Sequence, residues 1–230
     1  MTGTLYGIGV GPGDPELVTL KAARLIAAAP VVAYPAPDSG ESFARRIAAA
    51  HIASGTREIA IRIAMRPGAV PAEPYDRAAE AIGAHLEAGR GVAVLCEGDP
   101  FFYGTFMYLH DRLAGRFACE VVPGVSSLTA VAAAAGRPLT RRTAGLSVFP
   151  ATLDDEALTA RLNACEAAAI LKVGRHLSRL KAIIAALGRT EEAVYVAHAS
   201  LPEERVVPLA ELAEDEAPYF SMILVAKAAP

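Results

Sequence analysis

The chain has 230 residues, 53% of them hydrophobic and 20% charged, with a mean hydropathy of +0.33. Alanine supplies 49 residues and little buried area each. The longest run free of Asp, Glu, Lys and Arg, Val121–Gly136, has only 16 residues, short of the ~20 that span a bilayer. A net charge of −3 and a pI near 6.0 argue against a nucleic-acid surface, which carries a basic excess.

Met1–Thr4 leads straight into an apolar run, without the basic stretch and small-residue cleavage site of a signal peptide. Cys96, Cys119 and Cys165 are odd in number and lack paired spacing, so free thiols in a reducing cytoplasm are expected. The expectation is a cytoplasmic protein with no membrane or nucleic-acid partner.

β-Rich runs alternate with alanine-rich helical runs. In chain order these are a strand over 5–10, a helix over 15–28, a strand over 31–34 and a helix over 42–50. A strand over 59–63, a helix over 75–88, a strand over 92–96 and a helix over 104–113 follow, then a strand over 119–122 and a helix over 126–135. Strands alternating with helices of this length imply crossover units and a parallel sheet. The pattern breaks over 137–145, a polar stretch bearing Pro and Gly, which reads as a domain boundary. Beyond it come a strand over 146–149, a helix over 155–163, a strand over 168–173 and a helix over 177–187. Strands over 194–198, 205–207 and 220–227 close the chain. The last three lie close together with little helix between them, so an antiparallel portion is expected. The fold class is α/β with two domains, 1–140 and 146–230, the first a mostly parallel sheet and the second a mixed one.

The first loop carries Gly7, Gly9, Gly11, Pro12, Gly13, Asp14 and Pro15 after a strand and before a helix, where a dinucleotide fingerprint would lie. The G-x-G-x-x-G spacing fails in both registers. Pro12 lacks an N–H, and Asp14 would place negative charge where a pyrophosphate sits. Asp14 reads instead as a cap for the turn that Pro15 begins. The fourth strand runs into Glu97, Gly98, Asp99 and Pro100 and then Phe101, Phe102 and Tyr103. Carboxylates at the carboxyl end of a parallel strand lie where open α/β sheets bind ligands, and three aromatics are too many for a solvated turn. Two readings stay open: Asp99 as a cap with the aromatics in the core, or carboxylates and an apolar wall facing a cationic ligand that has an aromatic base. The fifth strand ends in Pro123, Gly124, Val125, Ser126 and Ser127.

There is no G-x-x-x-x-G-K-[ST], no G-x-S-x-G, no H-E-x-x-H and no C-x-x-C, so P-loop, hydrolase-elbow and zinc chemistry are excluded and no metal is expected. His51 and His85 read as helix-face residues, while His176 and His198 stay open.

Together the G-x-G-P-G-D-P loop, the run Glu97–Thr105 and Pro123–Ser127 resemble the S-adenosylmethionine-dependent tetrapyrrole methylases of corrinoid and sirohaem synthesis. The resemblance extends from Leu5 to about Val225. Residues 33–37, 96–108 and 195–202 are most similar to those members that methylate precorrin-2 at C20. A cobalt-bound substrate or another corrin carbon remain the alternatives. The resemblance implies two α/β domains with the cofactor in a cleft between them, a homodimer, and S-adenosylmethionine as methyl donor. It implies cofactor contacts at Pro12, Gly98, Asp99, Phe102, Ser126, Ser127, Val173, Ala199 and Met222. Val173 stands where many relatives have methionine, and Ser126–Ser127 where relatives have Thr-Ala. A sulfonium is already activated for displacement, so no obligatory catalytic side chain is expected. Glu97 is the candidate acceptor of the proton released at C20, with solvent and the substrate's own nitrogens as alternatives. A polycarboxylate substrate calls for arginines, and Arg137, Arg141 and Arg175 are the candidates, with the alternative that Arg141 and Arg142 lie in a solvated linker.

Overall fold

The computed structural model describes residues 1–63 and 72–226. The chain divides into two compact units, Met1–Ser126 and Ser127–Pro230. The division falls ahead of the 137–145 break. The segment after it is tied to the later strands, since the Arg137 guanidinium donates to the carbonyl of Ala226 at 2.6 Å.

The first unit is built on β1 (Leu5–Gly9), β2 (Val31–Ala36), β3 (Arg57–Arg62), β4 (Val92–Cys96) and β5 (Cys119–Val122). All its pairings are parallel, in the order β3-β2-β4-β1-β5. Strands covered on both faces read as continuous apolar runs, and β2 and β4 are buried at every position. On one face Ile8, Val10, Val32 and Leu95 pack with α1 (Leu20–Ala28) and α2 (Phe43–Ala48). On the other, Leu5, Val31, Val92 and Val94 pack with α3 (Ala72–Glu87) and α4 (Phe106–Leu113).

The single helix expected over 15–28 is two elements. Asp14 Oδ1 accepts from Glu16 N at 2.8 Å and caps one 3-10 turn, Pro15–Leu17. The chain then extends through Val18, and Thr19 starts α1 by accepting from Ala22 N at 3.2 Å. Two competing caps five residues apart divide the helix.

The second unit begins with α5 (Ser127–Ala134) and carries β6 (Leu146–Pro150), α6 (Asp155–Ala164), β7 (Ala167–Leu171), α7 (Leu177–Ala186), β8 (Ala193–Ala197), β9 (Arg205–Pro208) and β10 (Ser221–Ala226). Its order is β6-β7-β10-β8-β9. The β6–β7 pair is parallel and the other three pairs are antiparallel, giving the expected mixed sheet. Phe149, Ile170, Tyr195, Ile223 and Val225 face the apolar sides of α6 and α7. Lys227, the end of the expected last strand, lies outside the described residues.

Candidate functional site

In the first sheet β4 and β1 are neighbours, and the chain leaves them in opposite directions, to β5 past β1 and to β2 past β4. Such a switch point opens a crevice beyond the carboxyl ends of the strands, the usual ligand position in an open α/β sheet. The loops after β1 and β4 meet there. Gly11 N donates to Gly98 O at 3.3 Å and Gly98 N to Gly11 O at 2.8 Å, forming an antiparallel bridge. Gly98 takes φ +63°, a conformation that favours glycine. The loop after β5 closes on them. A Cβ built on Gly124 would stand 2.0 Å from Gly98 O, so no side chain fits at that position.

Asp99 joins two of these loops, accepting from Phe101 N at 2.9 Å and from Gly124 N at 3.1 Å. Glu97 is half-buried. Burial pushes its carboxyl above the usual carboxylate range, against the opposing pull of a hydrogen bond from the backbone of Ala44 near the start of α2. Pro12 and Phe102 are half-buried, and the ring of Phe102 stands edge-on to Tyr103 at 5.2 Å. Phe101 and Tyr103 are 49% and 46% exposed, so neither belongs to the core. Tyr103 holds φ +55°, the kind of backbone strain that accumulates at functional loops. Ser126 ends the loop after β5, and Ser127 opens α5.

Behind these loops α2 is held by charge. Arg45 donates to both oxygens of Glu58 at 2.7 and 2.9 Å. The Arg45 guanidinium holds the Glu58 carboxyl below its ordinary value, while burial and then Glu58 raise the phenol of Tyr34 on β2. Arg62 bonds the carbonyls of Pro37 and Gly40, at 2.7 and 3.4 Å, and so fixes the segment before α2. The apolar periodicity that located these elements carries no information about this polar web.

In the second unit Val173, Ala199 and Met222 come to one end of the sheet. Val173 follows β7, Ala199 follows β8, and Met222 lies opposite Leu171 and Val196 at the start of antiparallel β10. All three are buried. Lys172, His198 and Ser200 hold positive φ at this same end. The His198 ring faces Phe220 at 6.5 Å, and His176 is bonded to Arg179 at 3.3 Å. Burial, then the charges of Arg179 and Arg175, lower the His176 pKa.

The three candidate arginines do not come together. Arg175 is exposed beyond the carboxyl end of β7. Arg137 binds Ala226 O at the other end of the sheet, where Ala226 pairs with Ala167 at the start of β7. Four strand residues, roughly 13 Å at ~3.3 Å each, separate the two ends. Arg141 is exposed and lines a cavity of about 550 Å³ at that second end, with Leu139, Leu162, Cys165 and Arg189 among its walls.

The three cysteines are free thiols. Burial pushes Cys96 up to about 12, so it serves as core. No cluster that could hold a metal occurs among the described residues. Gly124, which closes on Gly98, and Arg179, which donates to the carbonyls of Ala151 and Leu153 after β6 and pairs with Asp155 at the start of α6, are structural residues that sequence reasoning missed. The first lies within the noted P-G-V-S-S run, but its close approach to Gly98 depends on strand order.

The chain has known relatives. The chain is 43% identical to precorrin-2 C(20)-methyltransferase of Sinorhizobium sp over 97% of its length and 95% of that protein. It is 32% identical to cobalt-precorrin-2 C(20)-methyltransferase of Salmonella typhimurium, covering 99% of this chain and 98% of that one. It is also 43% identical to cobalamin biosynthesis protein CobIJ of Mycobacterium tuberculosis, over 97% of this chain but only 46% of that protein, so it spans about half the length of that relative. Among solved structures, uroporphyrin-III C-methyl transferase from Thermus thermophilus, complexed with S-adenosyl homocysteine, matches with a TM-score of 0.73 at 28% identity, over 98% of both chains. The family profile of the tetrapyrrole (corrin/porphyrin) methylases matches residues 4–213, nearly the whole chain, and this protein belongs to that family.

Proposed function

We propose that this chain is an S-adenosylmethionine-dependent C-methyltransferase that methylates precorrin-2 at C20 in cobalamin biosynthesis. The observation that carries the reading is the 43% identity to the Sinorhizobium C20-methyltransferase across nearly all of both chains. The metal-free substrate is preferred to the cobalt-bound one because the relative named for the latter is less similar, at 32%.

The first unit suits such a cofactor. The loop after β4 carries carboxylates followed by partly exposed aromatic residues, and the first loop carries Pro12 and Asp14 where a phosphate cradle would need N–H groups. In the first unit Pro12, Gly98, Phe102 and Ser126 would line the cofactor, on loops that Asp99 joins; Ser127, Val173, Ala199 and Met222 are the candidates the second unit offers. When bound, it supplies an activated methyl electrophile. The chain's part is to orient the reactants and exclude water, and orientation contributes ~7–11 kcal/mol in favourable cases. Arg175 is the best-placed arginine for a substrate carboxylate, and Arg141 the second choice. Arg137 is already engaged by Ala226 O. Glu97, its carboxyl raised by burial, is the candidate proton acceptor, and it must release the Ala44 N–H or share it to serve.

The same proposal covers a cytoplasmic homodimer acting on a small molecule, with no nucleic-acid or membrane partner and no metal of its own. No helix among the described residues is long and apolar enough to cross a membrane. Incubation with precorrin-2 and methyl-labelled S-adenosylmethionine is expected to yield a trimethylated product carrying the label at C20 by NMR. Label at another carbon, or no transfer to any reduced tetrapyrrole, would refute it.

A further inference from the structure

The carboxylate of Asp99 is bonded on both oxygens by main-chain N–H groups. Oδ1 takes Phe101 N at 2.9 Å and closes a turn within its own loop. Oδ2 takes Gly124 N at 3.1 Å, across to the loop after β5 and 25 residues away in sequence. Around it the loops touch main chain to main chain. Gly11 and Gly98 exchange their two bonds, and a Cβ on Gly9 would meet Gly98 O and Gly124 Cα, each at 2.6 Å. With so little side-chain volume between the loops, their spacing depends on polar contacts of which Asp99 makes two. Hydrogen bonds to a charged acceptor are stronger than neutral ones, and an N–H left without its partner is costly.

We propose that Asp99 is a positioning residue: its carboxylate sets the loop after β4 against the loop after β5, and its effect on cofactor affinity passes through the main chain it holds. A carboxylate has about four acceptor sites, so two bonds do not bar a direct ligand contact. What the geometry adds is that loss of Asp99 displaces Gly124 and Phe101 whether or not a ligand is present. The proposal rests on the reading of these loops as the S-adenosylmethionine site.

The test compares wild type with Asp99→Asn and Asp99→Ala. S-adenosylhomocysteine affinity is measured by calorimetry, alongside one analogue lacking the ribose hydroxyls and one lacking the amino group. Asparagine keeps one acceptor, so its affinity is expected to fall about tenfold, and that of alanine about 100-fold. The factor should be the same for all three ligands, because no ligand group is coupled to the side chain. In ligand-free protein, amide exchange at Gly124 and Phe101 should speed up about tenfold or more in both variants, with β1 and β4 still protected. The proposal is overturned if the loss disappears with an analogue lacking one group, which marks a direct contact, or if exchange at Gly124 is unchanged. Asp99→Asn is nearly isosteric and carries the test should Asp99→Ala fail to fold. If wild type binds no S-adenosylhomocysteine, the functional reading fails, while the exchange measurement still decides the role of Asp99.

Discussion

The two units treat their motif residues differently. In the first, segments near residues 11, 98 and 124 converge because β1, β4 and β5 are adjacent parallel strands whose carboxyl ends share one edge. Parallel pairing makes convergence automatic, since every loop that follows a strand emerges on the same side. In the second, β10 runs antiparallel between β7 and β8, so its start joins their ends while its last residue returns to the opposite edge. Met222 therefore meets Val173 and Ala199 at one end, whereas Arg137 follows Ala226 to the other. A motif placed after a parallel strand predicts its own location, and one attached to an antiparallel strand does not.

The largest expected effect that would break this contrast is at Gly124. Gly124→Ala forces a Cβ to within 2.0 Å of Gly98 O, and both atoms are anchored by main chain. We expect loss of measurable S-adenosylhomocysteine binding and a lower Tm, with stability falling by about 3 kcal/mol, as in overpacking. Wild-type calorimetry and melting would show the loops to be looser than described.

A second pair of variants sharpens the contrast within the second unit. Arg175→Ala is expected to raise KM for the tetrapyrrole about tenfold with little change in Tm. Arg137→Ala is expected to leave KM unchanged and to cost about 1 kcal/mol of stability through Ala226 O. Equal KM effects would mean that both arginines reach substrate.

Two carboxylates of the first unit should respond to pH in opposite directions. Arg45 lowers Glu58 in the folded protein, so its contribution is present above the ordinary carboxylate value and lost as pH falls through the lowered one. Glu58→Gln should cost about 1 kcal/mol near pH 7, screened because the pair is partly exposed, and less in acid. Burial raises Glu97, so folding retains its proton, and stability declines as pH rises from the ordinary value through the raised one. Glu97→Gln should then gain on wild type across that rise, as read by urea unfolding over a pH series. A difference independent of pH would show that Glu97 is not shifted.

The fold was largely legible in the sequence. Alternating apolar strands and alanine-rich helices gave the parallel sheet, and the crowding of strands after residue 190 gave the mixed one. The helix over 15–28 was misjudged because its apolar spacing continues through Val18, while the caps Asp14 and Thr19 that divide it act through local hydrogen bonds. The site was legible only in part. The motif loops were found, but their contacts were not. Asp99 read either as a cap or as a ligand group, and its partner Gly124 lies on another strand's loop. The Arg45–Glu58–Tyr34 group was invisible because each member comes from a different element.

By itself, then, the sequence determined the order and type of most elements and the family. These follow from residue spacing along one chain, where helix and strand periods and local caps operate. Tertiary structure alone decided which glycines stand in contact, what Asp99 holds, and that Arg137 and Arg175 lie at opposite ends of a sheet. Those facts depend on strand order and direction, because a hydrogen bond of about 3 Å forms between whatever the topology brings together, however far apart in sequence.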